Sequence, residues 1–199
     1  MKVSLKNNRL MLIVSVVSFL LSVFYAIRRV NYFYLNIYLV YSLLLTSEIA
    51  FLFSLIYLTA LLKFERESRL ILTSFYIFVG LSVVVFISSL NIIGDLIGFE
   101  FDTYLNIIAA LSIFYLTIIM FFVKSSLLRG PFRIYAITYI ISMIFDFGIP
   151  ILLPLLLSND SYFKVTRYIG FVDAIPLGAI IYIIYKAGIS LNKAVTQLV

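Results

Sequence analysis

Three carboxylates stand inside long apolar stretches of this 199-residue chain: Glu48, Asp146 and Asp173. An ionised side chain at the bilayer centre costs ~2.5–3.5 kcal/mol on insertion scales, so such residues turn away from lipid. The chemistry open to carboxyl groups at that depth is proton or cation binding, because hydrocarbon penalises the charged form and a bound cation removes the penalty. Lys and Arg are absent from the sequence close to Glu48 and Asp146, so no simple internal ion pair is expected for them. Thr46 and Ser47 precede Glu48 and are its nearest candidate hydrogen-bond partners.

The stretch around Asp146 has the clearest pattern. Tyr135, Tyr139, Ser142, Asp146 and Pro150 recur at steps of four, three, four and four. Helical geometry puts them on one face, a continuous stripe of hydroxyl and carboxyl groups such as a hydrated path needs. Pro150 and Pro154 each remove a backbone N–H. Broken backbone at membrane depth is tolerated only where protein or a water-filled cavity covers it. Gly170, Asp173 and Pro176 repeat the theme downstream. The expected substrate- or ion-binding set is Glu48, Asp146, Asp173, Tyr135, Tyr139 and Ser142. The plain alternative is that each carboxyl only joins helices through hydrogen bonds worth ~0.6 kcal/mol apiece.

Phe145-Asp146 and Gly170-Phe171-Val172-Asp173 resemble, over these few residues, the paired motifs of intramembrane aspartyl proteases. The resemblance implies two aspartates sharing a proton as acid and base. That family's second motif is Gly-x-Gly-Asp; Val172 stands in place of the second glycine, and the chain has no Pro-Ala-Leu motif. No catalytic residue is therefore assigned, and an intramembrane aspartyl enzyme is the remote class.

The elements that must position these groups follow from composition. Hydrophobic residues make up 64% of the chain and charged residues 12%, and mean hydropathy is +1.16. A soluble domain carries about 25% charged residues. Cysteine and histidine are both absent, which excludes disulfides, zinc or iron–sulfur ligation through Cys and His, and a Ser-His-Asp triad. No metal site or cofactor is expected. The 15 Lys and Arg are scattered between apolar stretches, unlike the basic stripe of a nucleic-acid binder, so the expected partner is the lipid bilayer. Usage heavy in Ile, Phe, Tyr, Asn and Lys suggests an AT-rich prokaryotic genome.

About 20 apolar residues cross a bilayer as a helix. Six stretches qualify: 10–27, 37–62, 70–90, 104–123, 134–157 and 168–185. The fold expected is an all-α integral membrane bundle of six transmembrane helices in one domain over residues 1–199. The first stretch follows Lys2, Lys6 and Arg9 as a secretory signal would, but its length and the trailing Arg28 and Arg29 point to a retained helix. Tyr, in the absence of Trp, must supply the interfacial aromatic belt.

Under this division eleven Lys and Arg fall on one side (Lys2, Lys6, Arg9, Lys63, Arg66, Arg69, Lys124, Arg129, Arg133, Lys186 and Lys193). Four, Arg28, Arg29, Lys164 and Arg167, fall on the other. The bias places both termini in the cytoplasm of a multi-pass cell-membrane protein. The external loop between the third and fourth stretches carries Asp95, Glu100 and Asp102 and no basic residue. Dividing the chain near Glu100 gives two three-helix units of opposite orientation, the inverted-repeat plan of many transporters. The second and fifth stretches then correspond, and they carry Glu48 and Asp146.

Ser15, Ser18 and Ser22, continuing through Ala26 to Arg29, form a small-residue stripe suited to close helix packing. Gly80 and Ser82, and Ala109, Ala110 and Ser112, read the same way. The leading functional expectation is a small transporter or channel-like protein using intramembrane carboxylates to bind a proton or cation. The alternative is a non-catalytic accessory or assembly subunit of a larger membrane complex. Partners beyond lipid would be a small ion or solute, a second copy of the chain, or subunits of that complex.

Overall fold

The computed structural model of the chain describes residues 2–31, 36–89, 99–156 and 158–196. Tyr32, Tyr34 and Asp95, part of the expected aromatic belt and acidic loop, lie outside the described residues. Described secondary structure is helical: α1 (Leu5–Asn31), α2 (Ile37–Phe64), α3 (Arg69–Ser89), α4 (Phe99–Met120), α5 (Arg129–Met143), a π-turn (Ile144–Gly148), α6 (Ile149–Leu156), α7 (Asn159–Thr166) and α8 (Ile169–Thr196). Glu100 and Asp102 fall within α4, not in a loop.

Four helical segments are long and apolar enough to cross a membrane: Leu5–Asn31, Ile37–Phe64, Arg69–Ser88 and Lys164–Asn192. The fourth expected span falls on α4, whose apolar described part, Ile107–Met120, is shorter. The fifth, 134–157, is interrupted at Ile144–Gly148. Pro150 cannot donate to the carbonyl one turn earlier. The turn before it widens, and Ile149 N–H bonds the Ile144 carbonyl five residues back. Such π-bulges recur inside α-helices at functional sites. Asp146 sits in this widened turn.

The polarity of α1 is inverted relative to a helix in water. Leu10, Ile13, Val17, Leu20, Phe24 and Ile27 are exposed at steps of three and four, while Asn8, Met11, Ser15, Ser18 and Ala26 are buried. A helix on a soluble bundle buries its apolar stripe and shows its polar one. The surface of α1 suits hydrocarbon.

The helices pack in a ring. α1 lies against α2 and α8, α8 against α5, α4 against α5 and α3, and α3 against α2. Antiparallel register of α1 and α2 is fixed by three contacts. The Tyr57 hydroxyl donates to Asn8 Oδ1 (2.9 Å), Ser18 and Ser47 each donate to the other's carbonyl (3.2 and 3.4 Å), and the Tyr25 hydroxyl donates to the Val40 carbonyl. α8 runs antiparallel to α1 with Gly170 against Ala26, Gly178 against Phe19 and Gly188 against Asn8.

The core gathers at one end. Its fully buried members include Leu55, Tyr57, Leu58 and Leu62 on α2, Phe75 on α3, Met120 on α4, Phe132, Tyr135 and Ala136 on α5, and Ile180, Ile183 and Ile184 on α8. The loops at that end are tied together. α2 closes with a Schellman motif, Glu67 N–H to the Leu62 carbonyl (3.0 Å) and Arg66 N–H to that of Lys63 (3.1 Å), with Arg66 in the left-handed region at φ 55° where glycine is usual. Glu67, thereby turned inward, accepts from the N–H groups of Lys124 (2.9 Å) and Ser125 (2.5 Å), while Glu65 accepts from the Ser125 hydroxyl (2.7 Å).

Candidate functional site

Toward the opposite end lies an open cavity of about 820 Å³ whose wall includes Glu48, Asp146 and Asp173. α2, the π-turn and α8 supply one carboxylate each. The stripe on α5 leads into it. Phe132 and Tyr135 stack edge to face (centroids 6.5 Å apart), as do Tyr135 and Tyr139 (4.9 Å). Tyr139, Ser142 and Asp146 line the cavity. Tyr135 does not. It is fully buried in the core beneath Tyr139, and its hydroxyl makes no hydrogen bond among the described residues.

Ser142 is buried between two aspartates. Its hydroxyl lies 3.3 Å from Asp146 Oδ2 and 3.2 Å from Asp173 Oδ1, so the two carboxyl groups share it as a common neighbour. The hydroxyl has one hydrogen to donate. It therefore serves one carboxylate at a time, leaving the pair short of donors. Asp146, inside the widened turn, stays four residues beyond Ser142 and on the same face.

Glu48 lies deeper. The register of α1 and α2 sets it level with Val17, whereas that of α1 and α8 sets Asp173 level with Val23. Six residues of helix separate these levels, about 9 Å at 1.5 Å per residue. Neither expected neighbour serves Glu48: the Thr46 hydroxyl donates to the Ser42 carbonyl (2.7 Å) and that of Ser47 to the Ser18 carbonyl. β-hydroxyls back-bond into their own or an adjacent helix when those carbonyls are in reach.

Five further wall residues came under other readings of the sequence. Ser18, Ser22 and Ser47 line the cavity, as do Arg28 and Arg29 near the end of α1. The serine stripe does pack, with Ser15 hydrogen-bonded to Ser54 (2.7 Å); further along α1 it becomes cavity wall. Its spacing already ran on to Arg29, which was the available signal. The cavity thus grades from arginines at one end, through the aspartate pair, to Glu48.

A second cavity of about 410 Å³ adjoins the first and shares Leu44, Glu48, Phe51 and Tyr139 with it. Its remaining wall is largely apolar, with Leu45, Leu52, Phe78, Leu81, Val85 and Ile113 among its members. No His, Cys, Asp or Glu grouping among the described residues has the composition of a metal site. Comparison with protein-family models, curated proteins and solved structures gave no match to the chain.

Proposed function

We propose that the chain is a small multi-pass transporter or channel-like protein of a prokaryotic cell membrane, in which Glu48, Asp146 and Asp173 bind a proton or cation. In this reading the bundle crosses the membrane six times, with α4 and the α5–π-turn–α6 segment as the additional crossings and both termini cytoplasmic. The bias of Lys and Arg supports that orientation. One observation carries the functional reading: three carboxylates from three separate segments converge on a single cavity. Simple interhelical glue would leave each in its own contact, whereas a binding site for a positive charge draws them together.

Binding and release can be coupled to movement through the π-turn. A cation held by the aspartate pair favours the packing in which α8 and the π-turn lie close, and its loss favours their separation, since a ligand shifts a conformational equilibrium by its differential affinity. The experiment is flux of protons and monovalent cations in proteoliposomes, comparing the native chain with Asp146→Asn and Glu48→Gln. Loss of flux is expected in both. Unchanged flux in both variants removes the assigned role.

Ser142 between two aspartates favours a second reading, an acid–base enzyme in which Asp146 and Asp173 share one proton. It differs in outcome. Transport returns its substrate chemically unchanged, and mass spectrometry of solutes recovered from the vesicles distinguishes the two.

A further inference from the structure

Glu48 and Tyr139 stand on the wall between two chambers of opposite character. On one side are the aspartate pair and serines, with Arg28 and Arg29 at the end of the wall away from Glu48. On the other are aliphatic and aromatic side chains from α2, α3 and α4, among them Leu52, Phe78, Leu81 and Val85. We infer that the two chambers together bind one amphipathic cation, an ammonium-type head in the acidic chamber and an apolar tail of several carbons in the other. This rests on the proposal that the carboxylates bind positive charge, and it adds the class of ligand.

Charge favours this ligand over an anionic amphiphile. Level by level, the groups nearest the junction are acidic: Glu48 lines both chambers, and the aspartate pair lies about 9 Å further along the bundle. Arg28 and Arg29 lie beyond the aspartate pair, about three turns of α1 and about 16 Å from the level of Glu48 by the same register. An anionic head at the junction meets carboxylate, and a cationic head meets it with opposite sign. Phe51 and Tyr139 are aromatic residues on the wall shared by both chambers, and an ammonium group is attracted by the quadrupole of such rings. Each chamber has the volume of a small-molecule pocket, about 300–1,000 Å³. A bare inorganic ion uses neither the volume nor the apolar chamber.

The test is binding of radiolabelled alkyltrimethylammonium ions to the full chain in nanodiscs, with empty nanodiscs as the blank for lipid partitioning. Tetramethylammonium, butyltrimethylammonium and octyltrimethylammonium form the series, and octyl sulfate is the anionic control. Affinity is expected to rise at least about tenfold from butyl to octyl, as burial of added methylenes requires, and octyl sulfate is expected not to compete. Ala109→Phe, which narrows the apolar chamber, is expected to reduce octyl affinity toward the tetramethylammonium level and leave tetramethylammonium unchanged. Ser112→Leu, on the same wall, gives the same result if Ala109→Phe does not fold. Asp173→Asn is expected to weaken the whole series. Affinity independent of tail length overturns the inference while leaving the cation-binding proposal intact. Absence of binding by every cation overturns both, and equal competition by octyl sulfate overturns the choice of a cationic head.

Discussion

Where α2 turns into α3, Tyr57, Leu58, Leu62, Phe75 and Phe132 are wholly buried and Glu67 stitches two loops together; toward the other end of the ring, Glu48 on α2, Asp146 in the π-turn and Asp173 on α8 face open space. One ring of helices thus makes a close-packed end and a hollow end. The difference lies in side-chain size and in backbone. At the packed end large residues from opposite helices meet, as Phe75 and Phe132 do at 5.6 Å between centroids. At the hollow end the inward positions of α1 are Ser18, Ser22 and Ala26, and α5 gives way to the π-turn. Side chains around a polar cavity are most accurately held when the scaffold below them is locked.

The largest effect that bears on this comparison is expected from Phe132→Ala. Truncating a fully buried phenylalanine removes its contacts and leaves a void, typically ~3–5 kcal/mol. The matched change at the hollow end, Ser22→Ala, is expected to stay within ~0.5 kcal/mol. Thermal and denaturant unfolding in a mild detergent measure both. Similar losses from the two substitutions would mean that the hollow end is packed as tightly as the base.

The sequence made much of the packed end and part of the hollow end legible. Run length located α1, α2, α3 and α8, because nothing but a long apolar helix accounts for such stretches in this composition. Helical spacing put Tyr135, Tyr139, Ser142 and Asp146 on one face, and they do share it. What spacing could not supply was the level at which the stripe passes from core to cavity. That level depends on what the neighbouring helices bring, bulky Phe75 and Phe78 beside Phe132 and Tyr139, and Asp173 beside Ser142. Pro150 announced a broken backbone, yet a kink and a π-turn are equally compatible with a missing N–H. Arg28 and Arg29 were legible as topological cations; their place on the cavity wall required the antiparallel register of α1 with α2 and α8, which no single-helix pattern contains.

Glu67 gives the next largest effect and sharpens the comparison at the loops. Its Oε1 accepts two backbone N–H groups of the α4–α5 connection, and the residue is 7% exposed. Hydrogen bonds to a charged group contribute ~1.5–3 kcal/mol, and removing the acceptor takes it from two part-buried N–H groups. Glu67→Ala is expected to destabilise by about 2–3 kcal/mol, and Glu67→Gln, which keeps one acceptor oxygen, by less. Hydrogen exchange of the Lys124 and Ser125 amides provides the local readout. Faster exchange there, with the wall of the cavity unaffected, is the result expected of a base that is built independently of the chamber it supports.

The smallest effects differ in sign, which makes them the sharpest division between the two ends. Gly178 and Gly188 lie on the face of α8 that meets α1. A Cβ at Gly178 would touch the Phe19 ring at an ordinary 3.8 Å, whereas a Cβ at Gly188 would stand 2.5 Å from Asn8 Nδ2. Asn8 cannot readily yield, because Nδ2 donates to the Ile184 carbonyl (3.0 Å) and Oδ1 accepts from Tyr57. Gly188→Ala must therefore break one of those buried bonds or part the helices, and overpacking of this kind costs ~1–3 kcal/mol. Gly178→Ala meets no such obstacle and gains helix propensity, so it is expected to raise stability by about 0.5–1 kcal/mol. Unfolding midpoints moving in opposite directions, down for Gly188→Ala and up for Gly178→Ala, would place the boundary between rigid base and adaptable chamber between these two positions. Two losses of equal size would instead extend the close-packed α1–α8 seam beyond Gly178, toward the level of Asp173.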